Sequence, residues 1–266
     1  MLKITSSQNP KLKQVNELRN RKERDASGLF IIEGYRELKR AADAGVKIHS
    51  LFICPEFFLG ENEEALIEQI GSATFDVAKP QFEKISYRDR PDGLIAIAHQ
   101  MKLSLADISF RNKVPFIVIA EAIEKPGNLG TILRSADAAG VDGVIVCDRC
   151  TDIYNPNVVR ASVGTLFTLP VVEAASSEAL SWLKKHQIHI AAATPAAKME
   201  YTAADFKKAV AIVVGTEQIG LSKTWLDAAD LSVSIPMLGI ADSLNVATAT
   251  TLLLYEVVRQ RRHPLL

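Results

Sequence analysis

The sequence contains few cysteines, only Cys54, Cys147 and Cys150 among 266 residues. An odd and sparse set cannot form a disulfide scaffold and is typical of a reducing compartment. Long hydrophobic runs are also missing, since residues 114–120 and 209–215 are only of strand length and too short to cross a bilayer. The first residues lack the apolar core of a secretory signal. We therefore expect a cytoplasmic protein without a membrane span.

An excess of one charge is missing as well, because 31 Lys and Arg balance 31 Asp and Glu. The distribution is nevertheless uneven. Residues 1–24 carry seven basic and two acidic side chains, whereas residues 25–110 carry nine basic and fourteen acidic ones. A basic N-terminal helix or arm could contact the phosphates of a nucleic acid, or it could simply be the solvated face of a helix.

The periodicity divides the chain into four parts. Apolar residues at Leu12, Val15 and Leu18 predict one thin amphipathic helix over 9–24. A small α/β domain over 25–100, a linker over 101–113 and a second α/β domain over 114–266 follow. Six strands are predicted in the second domain, over 116–120, 143–147, 169–172, 188–193, 210–215 and 231–235.

Helices separate these continuous apolar strands, which is typical of a parallel sheet covered on both faces. The last predicted helix, over 243–262, is too apolar for an isolated surface helix. It either inserts into the core or packs against another subunit. In such a sheet ligands bind at the carboxyl ends of the strands, so the loops that follow them are candidate sites.

The first candidate loop places Gly127, Asn128 and Gly130 before a helix that carries Arg134. Backbone N–H groups at a helix N-terminus and a guanidinium one turn later could bind phosphate. Asn128 as a helix cap beside a surface arginine explains the pattern about equally well. The glycines complete neither the dinucleotide-binding pattern nor a P-loop, which disfavours a Rossmann-type nucleotide-binding domain.

Two further loops carry polar side chains. Glu217 follows an apolar strand between Gly215 and Gly220, where it could act in a site or cap the helix that begins near Leu221. Asp242, Ser243 and Asn245 open the final helix. Capping explains Asp242 or Ser243. Asn245 lies so near the apolar face that an unpaired amide would be costly, so we expect it to bind a loop, a ligand or both.

The cysteines and histidines of the sequence give little support for a metal site or for redox chemistry. Cys147 and Cys150 form a single pair with no second pair, and the five histidines lie outside the glycine-rich loops. We therefore predict no metal site.

The three loops resemble the motifs of the SpoU (TrmH) family of RNA methyltransferases in the SPOUT class. They read NLGTILRSA from Asn128, VVGTEQIGLS around Gly215 and Glu217, and IPMLGIADSLNVA from Ile235. The segment FIIEGYRELKRAADAG and the strand GLIAIA are similar, more weakly, to the family's ribosomal-protein-like RNA substrate-binding domain.

This resemblance implies a homodimer in which the C-terminal chain forms a trefoil knot, with the active site near the subunit interface. It implies that S-adenosylmethionine is the methyl donor, bent among the knot loops. The residues implied to line its pocket are Thr194, Gly215, Ile235, Met237 and Leu244.

The implied reaction is methylation of a ribose 2′-hydroxyl in RNA. Arg134 would position the target nucleotide and stabilise charge, since a guanidinium stays protonated at neutral pH and is a poor base. Asn128 and Glu217 would organise the loops, and Ser243 and Asn245 would hold the nucleotide and the knot.

Ribosomal RNA is the expected substrate, because a separate substrate-binding domain precedes the catalytic one. Two alternatives remain: the same reaction on transfer RNA, and a non-catalytic RNA-binding factor in ribosome assembly. RNA contacts would come from the basic arm, from the tail Arg259–Arg262, and from cations of the acidic domain if these share one face: Arg36, Lys39, Arg40, Lys84, Arg88 and Arg90.

Overall fold

A computed structural model describes residues 2–111, 113–148 and 151–262. Cys150 lies outside these ranges. The chain divides into two compact units, the first ending at Met101 and including Asp152–Thr168, the second comprising Lys102–Thr151 and the chain from Leu169 onward. Within the described ranges no helix is both long enough and apolar enough to span a bilayer.

The strands and helices are numbered here in chain order. The strands are β1 Leu2–Ile4, β2 Leu29–Glu33, β3 Ile48–Ile53, β4 Ala73–Val77, β5 Leu94–His99, β6 Phe116–Glu121, β7 Gly143–Cys147, β8 Val171–Ala174, β9 His189–Ala193, β10 Met199–Glu200, β11 Val210–Val214 and β12 Leu231–Ser234. The helices are α1 Pro10–Glu17, α2 Arg21–Ser27, α3 Tyr35–Asp43, α4 Glu63–Ile70, α5 Lys79–Ile85, α6 Pro126–Ala138, α7 Pro156–Ala161, α8 Ser176–Lys185, α9 Lys223–Ala228 and α10 Val246–Arg262.

The first unit contains a five-stranded sheet in the order β1-β4-β3-β5-β2. Strands β1, β4 and β3 pair in parallel, whereas β5 runs antiparallel to both β3 and β2. Strand β5 lies between β3 and β2, and its residues from Leu94 to Ala98 are fully buried, which explains why this stretch has no polar alternation. The apolar stripe Leu12, Val15 and Leu18 is buried in the core of this unit, as the periodicity predicts.

The prediction of one helix over 9–24 is wrong, because the segment forms α1 and α2. The side chain of Asn20 accepts a hydrogen bond from the backbone N–H of Lys22 at 3.0 Å and so starts a new helix. That helix ends at Gly28, whose φ of 66° is the left-handed conformation that glycine tolerates best. The spacing of the apolar residues would have allowed one continuous helix, but the cap at Asn20 divides the segment into two.

Two cations of the basic N-terminal segment are engaged within the first unit. Arg24 is 1% exposed, and its guanidinium pairs with Asp152 at 2.7 Å. Arg19 donates to the backbone carbonyls of Ile85 and Ser86 at 2.8 and 3.0 Å. These two cations stabilise the fold of the first unit rather than face a ligand.

Three of the cations predicted for one RNA-binding face are also engaged. Lys39 pairs with Asp43, and Arg40 donates to the carbonyl of Val163. Arg88 pairs with the buried carboxylate of Glu37 at 2.7 Å. Three of the six cations of this set therefore have partners within the first unit.

Residues 152–168 pack with the first unit, although the sequence analysis groups them with the second domain. Besides the pair of Asp152 with Arg24, the hydroxyl of Tyr154 donates to the carbonyl of Met101. The ring of Tyr154 lies 4.6 Å from that of Phe30, centroid to centroid. Burial of a cation, a carboxylate and two rings together accounts for this association.

The second unit contains a seven-stranded parallel sheet in the order β10-β12-β9-β11-β6-β7-β8. The strands β6, β7 and β11 are buried along their whole length. Helices cover them, as the continuous apolar strands predict. The predicted fold class is confirmed. The expected linker is partly integrated, because Ile108 belongs to the core of this unit.

The final helix α10 begins at Val246 and packs against α6 and β11. Its buried face contains Leu253, Leu254 and Val257, so the helix inserts into the core, which is one of the two predicted alternatives. Its basic end is not a free tail. Arg261 donates to four backbone carbonyls, and Arg259 makes a two-pronged pair with Glu256. Burial lowers the pKa of Arg261.

Candidate active site

Three loops meet in the second unit at the carboxyl ends of β6, β11 and β12. The first opens α6, where Pro126 takes the first helical position and needs no N–H partner. Asn128 follows in the first turn, and its side chain points to the second loop rather than capping its own helix. The cap interpretation of Asn128 is therefore wrong.

Glu217 joins the three loops. Its Oε1 accepts hydrogen bonds from the Nδ2 of Asn128 at 3.0 Å and from the Nδ2 of Asn245 at 2.7 Å, and its Oε2 accepts one from Lys125. Asn245 Nδ2 also reaches the Oδ1 of Asn128 at 3.1 Å. Three residues far apart in sequence thus form one polar cluster.

The charges of this cluster stabilise one another. The hydrogen bond from Lys125 is the main reason that the pKa of Glu217 lies below its usual value, with further contributions from Asn128 and the backbone N–H of Val246. The same pair raises the pKa of Lys125. Glu217 is therefore an anion at neutral pH and acts as an acceptor for its neighbours.

Asn245 has two functions in the structure. Its Oδ1 accepts from the backbone N–H of Ala247 at 3.0 Å, and its carbonyl accepts from Ala249, so it caps α10. Its amide nitrogen meanwhile binds the first two loops. The sequence favours Asp242 or Ser243 as the cap and places Asn245 near the apolar face, whereas Asn245 is the cap and its side chain is exposed. The expected bond to a loop is confirmed.

The two ends of the loop after β11 are hydrogen-bonded to each other. Thr216 and Gly220 exchange two backbone hydrogen bonds at 3.1 Å, and the hydroxyl of Thr216 accepts from the N–H of Ile219. A Cβ on Gly215 would lie only 2.4 Å from the carbonyl oxygen of Gly220, so this position requires glycine. Gly220 adopts a φ of 69°.

A cleft of about 580 Å³ lies between the second and third loops and the end of β9. This volume is in the range of small-molecule sites. The lining is mostly apolar and backbone, and it includes every residue that the sequence analysis assigned to the cofactor: Thr194, Gly215, Ile235, Met237 and Leu244. Glu217 and Ser243 line it too.

Arg134 lies on the exposed side of α6, two turns after the start of the helix. Its guanidinium has no hydrogen-bond or ion-pair partner among the described residues. One turn earlier the hydroxyl of Thr131 is tied to the carbonyl of Gly127 at 2.8 Å. Of the five predicted catalytic residues, Asn128, Glu217 and Asn245 are hydrogen-bonded together, Ser243 borders the cleft, and Arg134 remains free for a ligand.

Sequence reasoning missed two residues here. Lys125 pairs with Glu217, and its place just before Pro126 was the available signal. Glu121 is 4% exposed and accepts from the N–H of Ser222 at 2.8 Å, at the start of α9. Of the two alternatives for Glu217, capping of this helix is therefore wrong, because the acid at the start of α9 is Glu121, which ends the neighbouring strand.

Over the described ranges no three His, Cys, Asp or Glu side chains are arranged to hold a metal ion. Cys147 is buried, which raises the pKa of its thiol to about 12. A thiol of this kind is a packing group and a poor nucleophile.

Comparison with known proteins agrees with this geometry. The sequence profile of the SpoU rRNA methylase family matches residues 115–255, and that of the MRM3-like substrate-binding domain matches residues 9–96. A 23S rRNA (uridine(2479)-2′-O)-methyltransferase of Streptomyces viridochromogenes is 32% identical over 255 residues, which cover 92% of this chain and 87% of that protein.

Two solved structures are similar over almost the whole chain. A crystal structure of an RNA 2′-O ribose methyltransferase has 41% identity and a TM-score of 0.87, covering 98% of this chain and all of that one. An AdoMet-bound rRNA methyltransferase of Sinorhizobium meliloti has 32% identity and a TM-score of 0.88, covering 99% and 98%. The family profile spans more than half of the chain and the relatives cover nearly all of it, so the chain belongs to the SpoU rRNA methylase family.

Proposed function

We propose that this protein transfers a methyl group from S-adenosylmethionine to a ribose 2′-hydroxyl of ribosomal RNA. The observation that carries the proposal is the cleft between the second and third motif loops, which Glu217 links through Asn128 to the helix that carries the unpartnered Arg134. The names of the similar proteins, two of which act on rRNA, support both the reaction and the class of RNA.

The residues of the cleft fit the cofactor. Ile235, Met237 and Leu244 offer apolar surface to an adenine ring, while Thr194 and Gly215 bring backbone close to the ligand. Glu217 and Asp242 are acids at the same cleft, which suits a ligand that carries a positive sulfur. S-Adenosylmethionine, when bound, supplies an activated methyl group on its sulfonium.

The protein must then orient a hydroxyl that is a weak nucleophile. Arg134 provides a fork of N–H donors that can bind a phosphate oxygen of the target nucleotide and so position its ribose. The permanent positive charge of a guanidinium stabilises developing negative charge on the 2′-oxygen. The target's own phosphate could accept the proton, which leaves Arg134 a positioning and electrostatic role.

The polar cluster supports this arrangement. Glu217 holds Asn128 on α6 and Asn245 at the start of α10, so the helix that carries Arg134 is tied to the cofactor loops. Ser243, at the border of the cleft, offers a hydroxyl to the nucleotide. The passage of the chain through these loops as a trefoil knot stays a prediction.

Transfer of labelled methyl to purified ribosomal and transfer RNA pools tests the proposal. The wild-type protein should label ribosomal RNA in 2′-O-methylnucleosides, and Arg134→Ala should lower transfer by roughly a hundredfold or more. Lys185→Ala, which removes an exposed cation at the end of α8, is the matched control and should retain activity. Labelling of transfer RNA alone would contradict the substrate class. Absence of transfer to any pool, including ribosomal precursors, would favour an assembly factor without catalysis.

We also propose that the active form is a homodimer in the cytoplasm. Leu252 and Tyr255 on α10 are 39% and 49% exposed. Exposed apolar residues on such a helix favour contact with a second copy. The buried free thiols Cys54 and Cys147 agree with a reducing compartment.

The dimer is tested by the mass in solution of Leu252→Glu. We expect the wild type to be dimeric and the variant to dissociate, because a charge would be buried at the interface. Lys223→Glu, an exposed change on α9, is the control. A monomeric wild type would contradict this part of the proposal.

A further inference from the structure

Three segments of the second unit meet around the guanidinium of Arg261. The four backbone carbonyls that accept its hydrogen bonds, at 2.7–3.1 Å, belong to Val114, Pro115, Phe206 and Lys208. The first two lie just before β6 and the other two just before β11. Gln260 holds the second segment as well, because it accepts from the N–H of Phe206 and donates to the carbonyl of Ala204, both at 2.8 Å. One corner of the unit is therefore formed by three segments, residues 113–115, 204–208 and 256–262.

This corner carries an excess of positive charge. The three segments contain six basic side chains and only two acidic ones. One of the acids, Glu256, is 6% exposed and already pairs with Arg259 at 2.7 Å. The other, Asp205, is exposed. Most of the positive charge is therefore not balanced within the segments themselves.

The cations that have no partner are Lys113, Lys207, Lys208 and Arg262, and we call these four residues the basic cluster. All four are exposed, so a ligand can reach them, and none of their side chains forms an ion pair or a hydrogen bond with another described residue. Asp205 and Asp230 line a cleft with Lys208 and offset part of its charge. Like charges that crowd together repel one another, and a bound polyanion would remove this repulsion.

The basic cluster lies away from the cofactor cleft. Its segments precede β6 and β11, whose opposite ends carry the motif loops. Helix α10 begins next to Asn245 of the polar cluster and has 17 residues, so its basic end is about 25 Å further along. Neither the methyl donor nor the target ribose reaches that far, and the proposed methyl transfer gives these cations no role.

We propose that the basic cluster binds the phosphate backbone of the RNA substrate at a place remote from the methylated nucleotide. RNA carries a negative charge on every phosphate, and each lysine or arginine that approaches the backbone releases condensed counter-ions. Such contacts fix the position of the nucleic acid without reading its bases, so they need exposed cations rather than a shaped pocket. A folded RNA extends beyond the length of α10, so one molecule can occupy both places.

An acidic protein is the other polyanion that a basic surface attracts. Protein interfaces are built around apolar and aromatic side chains at their centre. Within residues 113–115, 204–208 and 256–262 no large apolar side chain is exposed. RNA is therefore the favoured partner, and it is also the substrate of the methylase family to which this unit belongs.

The inference rests on the proposed RNA substrate, but its test does not require methyl transfer. The full-length protein is titrated with a fluorescent RNA hairpin at several KCl concentrations, and anisotropy reports the dissociation constants. The variant that combines Lys207→Gln with Lys208→Gln should bind about tenfold more weakly at ~0.1 M salt. The slope of the logarithm of the affinity against the logarithm of the salt concentration should decrease in magnitude by about 1.5.

A second consecutive lysine pair provides the matched control. Lys184→Gln with Lys185→Gln removes the same two charges from exposed positions in the last turn of α8, outside the three segments, and should retain the affinity and the slope. Arg262→Gln tests another member of the basic cluster and should lower the slope by about 0.8. Thermal unfolding verifies that each variant is folded, which is expected because the altered side chains have no partners.

Unchanged slopes in both the double lysine variant and Arg262→Gln would overturn the proposal, and so would an equal loss of affinity in the control pair. Displacement of the hairpin by polyglutamate at the same concentration of charge would identify an acidic protein as the partner and overturn it as well. A wild type that transfers methyl to RNA but shows unchanged slopes in the variants would reject this inference alone. Reduced slopes without any methyl transfer would reject only the proposed catalysis.

Discussion

At the scale of single residues, the organisation of the active site depends on the charge of Glu217. One carboxylate accepts from two amides and one ammonium that belong to three separate loops. An anionic acceptor makes stronger hydrogen bonds than a neutral one. The role of the residue is therefore to fix Asn128 and Asn245, and through them the relation of α6 to α10.

We predict that Glu217→Ala lowers methyl transfer by roughly a hundredfold, because small displacements of reacting groups are costly. Glu217→Gln retains one side-chain oxygen for the two amides but loses the negative charge that pairs with Lys125. It should therefore be more active than Glu217→Ala and less active than the wild type. Methyl transfer and cofactor affinity, measured for both variants, check this. Wild-type activity of Glu217→Ala would show that the hydrogen bonds to Asn128 and Asn245 are dispensable.

The pH dependence follows from the lowered pKa of Glu217. The folded state favours the ionised form, so this group stabilises the site above its ordinary pKa of 4.5, and the stabilisation is lost as the pH falls through the folded value. Cofactor affinity should be independent of this group at neutral pH and should decline only in acid. The decrease in cofactor affinity at acid pH should be smaller in Glu217→Gln than in the wild type.

At the scale of elements, the loop after β11 is shaped by backbone contact. Gly215 and Gly220 allow the chain to return within van der Waals distance of itself, and the two hydrogen bonds between Thr216 and Gly220 hold it there. A loop closed by its own backbone presents its groups to the cleft with little loss of entropy on binding.

Gly215→Ala should disrupt this loop, because the new Cβ would lie 2.4 Å from the carbonyl oxygen of Gly220. Overpacking of this kind costs about 1–3 kcal/mol, so the dissociation constant for S-adenosylmethionine should rise about tenfold or more. Calorimetric titration measures it. Gly127→Ala is the matched control, since a Cβ there meets no atom within 4 Å. Unchanged affinity in Gly215→Ala would mean that the loop adjusts freely.

At the scale of the whole molecule, each of the two units has its own sheet and core, and the first takes residues from two parts of the chain. The buried pair of Arg24 and Asp152 joins these parts, with side chains 1% and 3% exposed. Loss of one partner leaves an uncompensated buried charge, which is costly.

Asp152→Asn should therefore lower the free energy of unfolding of the first unit by roughly 3–5 kcal/mol. A fragment that ends at Met101 lacks Asp152 and leaves the charge of Arg24 unpaired, so it should fold poorly. Arg24→Met removes this charge and should raise the stability of the fragment. Urea unfolding followed by circular dichroism measures both effects. Asp25→Asn, in the exposed pair with Arg21, is the control and should change stability little. A stable wild-type fragment would contradict the prediction.

The sequence by itself determined the parallel sheet, its six predicted strands and the three loops of the site, since apolar strands and glycine-rich turns are local patterns. All five residues that it suggested for the cofactor line the cleft, and it suggested every member of the polar cluster except Lys125. Their roles in catalysis stay predictions.

Only the tertiary structure decided how polar groups far apart in sequence are paired. It divided the first helix at Asn20, buried Arg24 against Asp152 and engaged Arg261 with backbone carbonyls. The physical reason is that neither the number of charges nor the spacing of apolar residues in a sequence indicates which group will pair with a given polar side chain. That choice depends on residues brought within hydrogen-bond distance only when the sheets have formed.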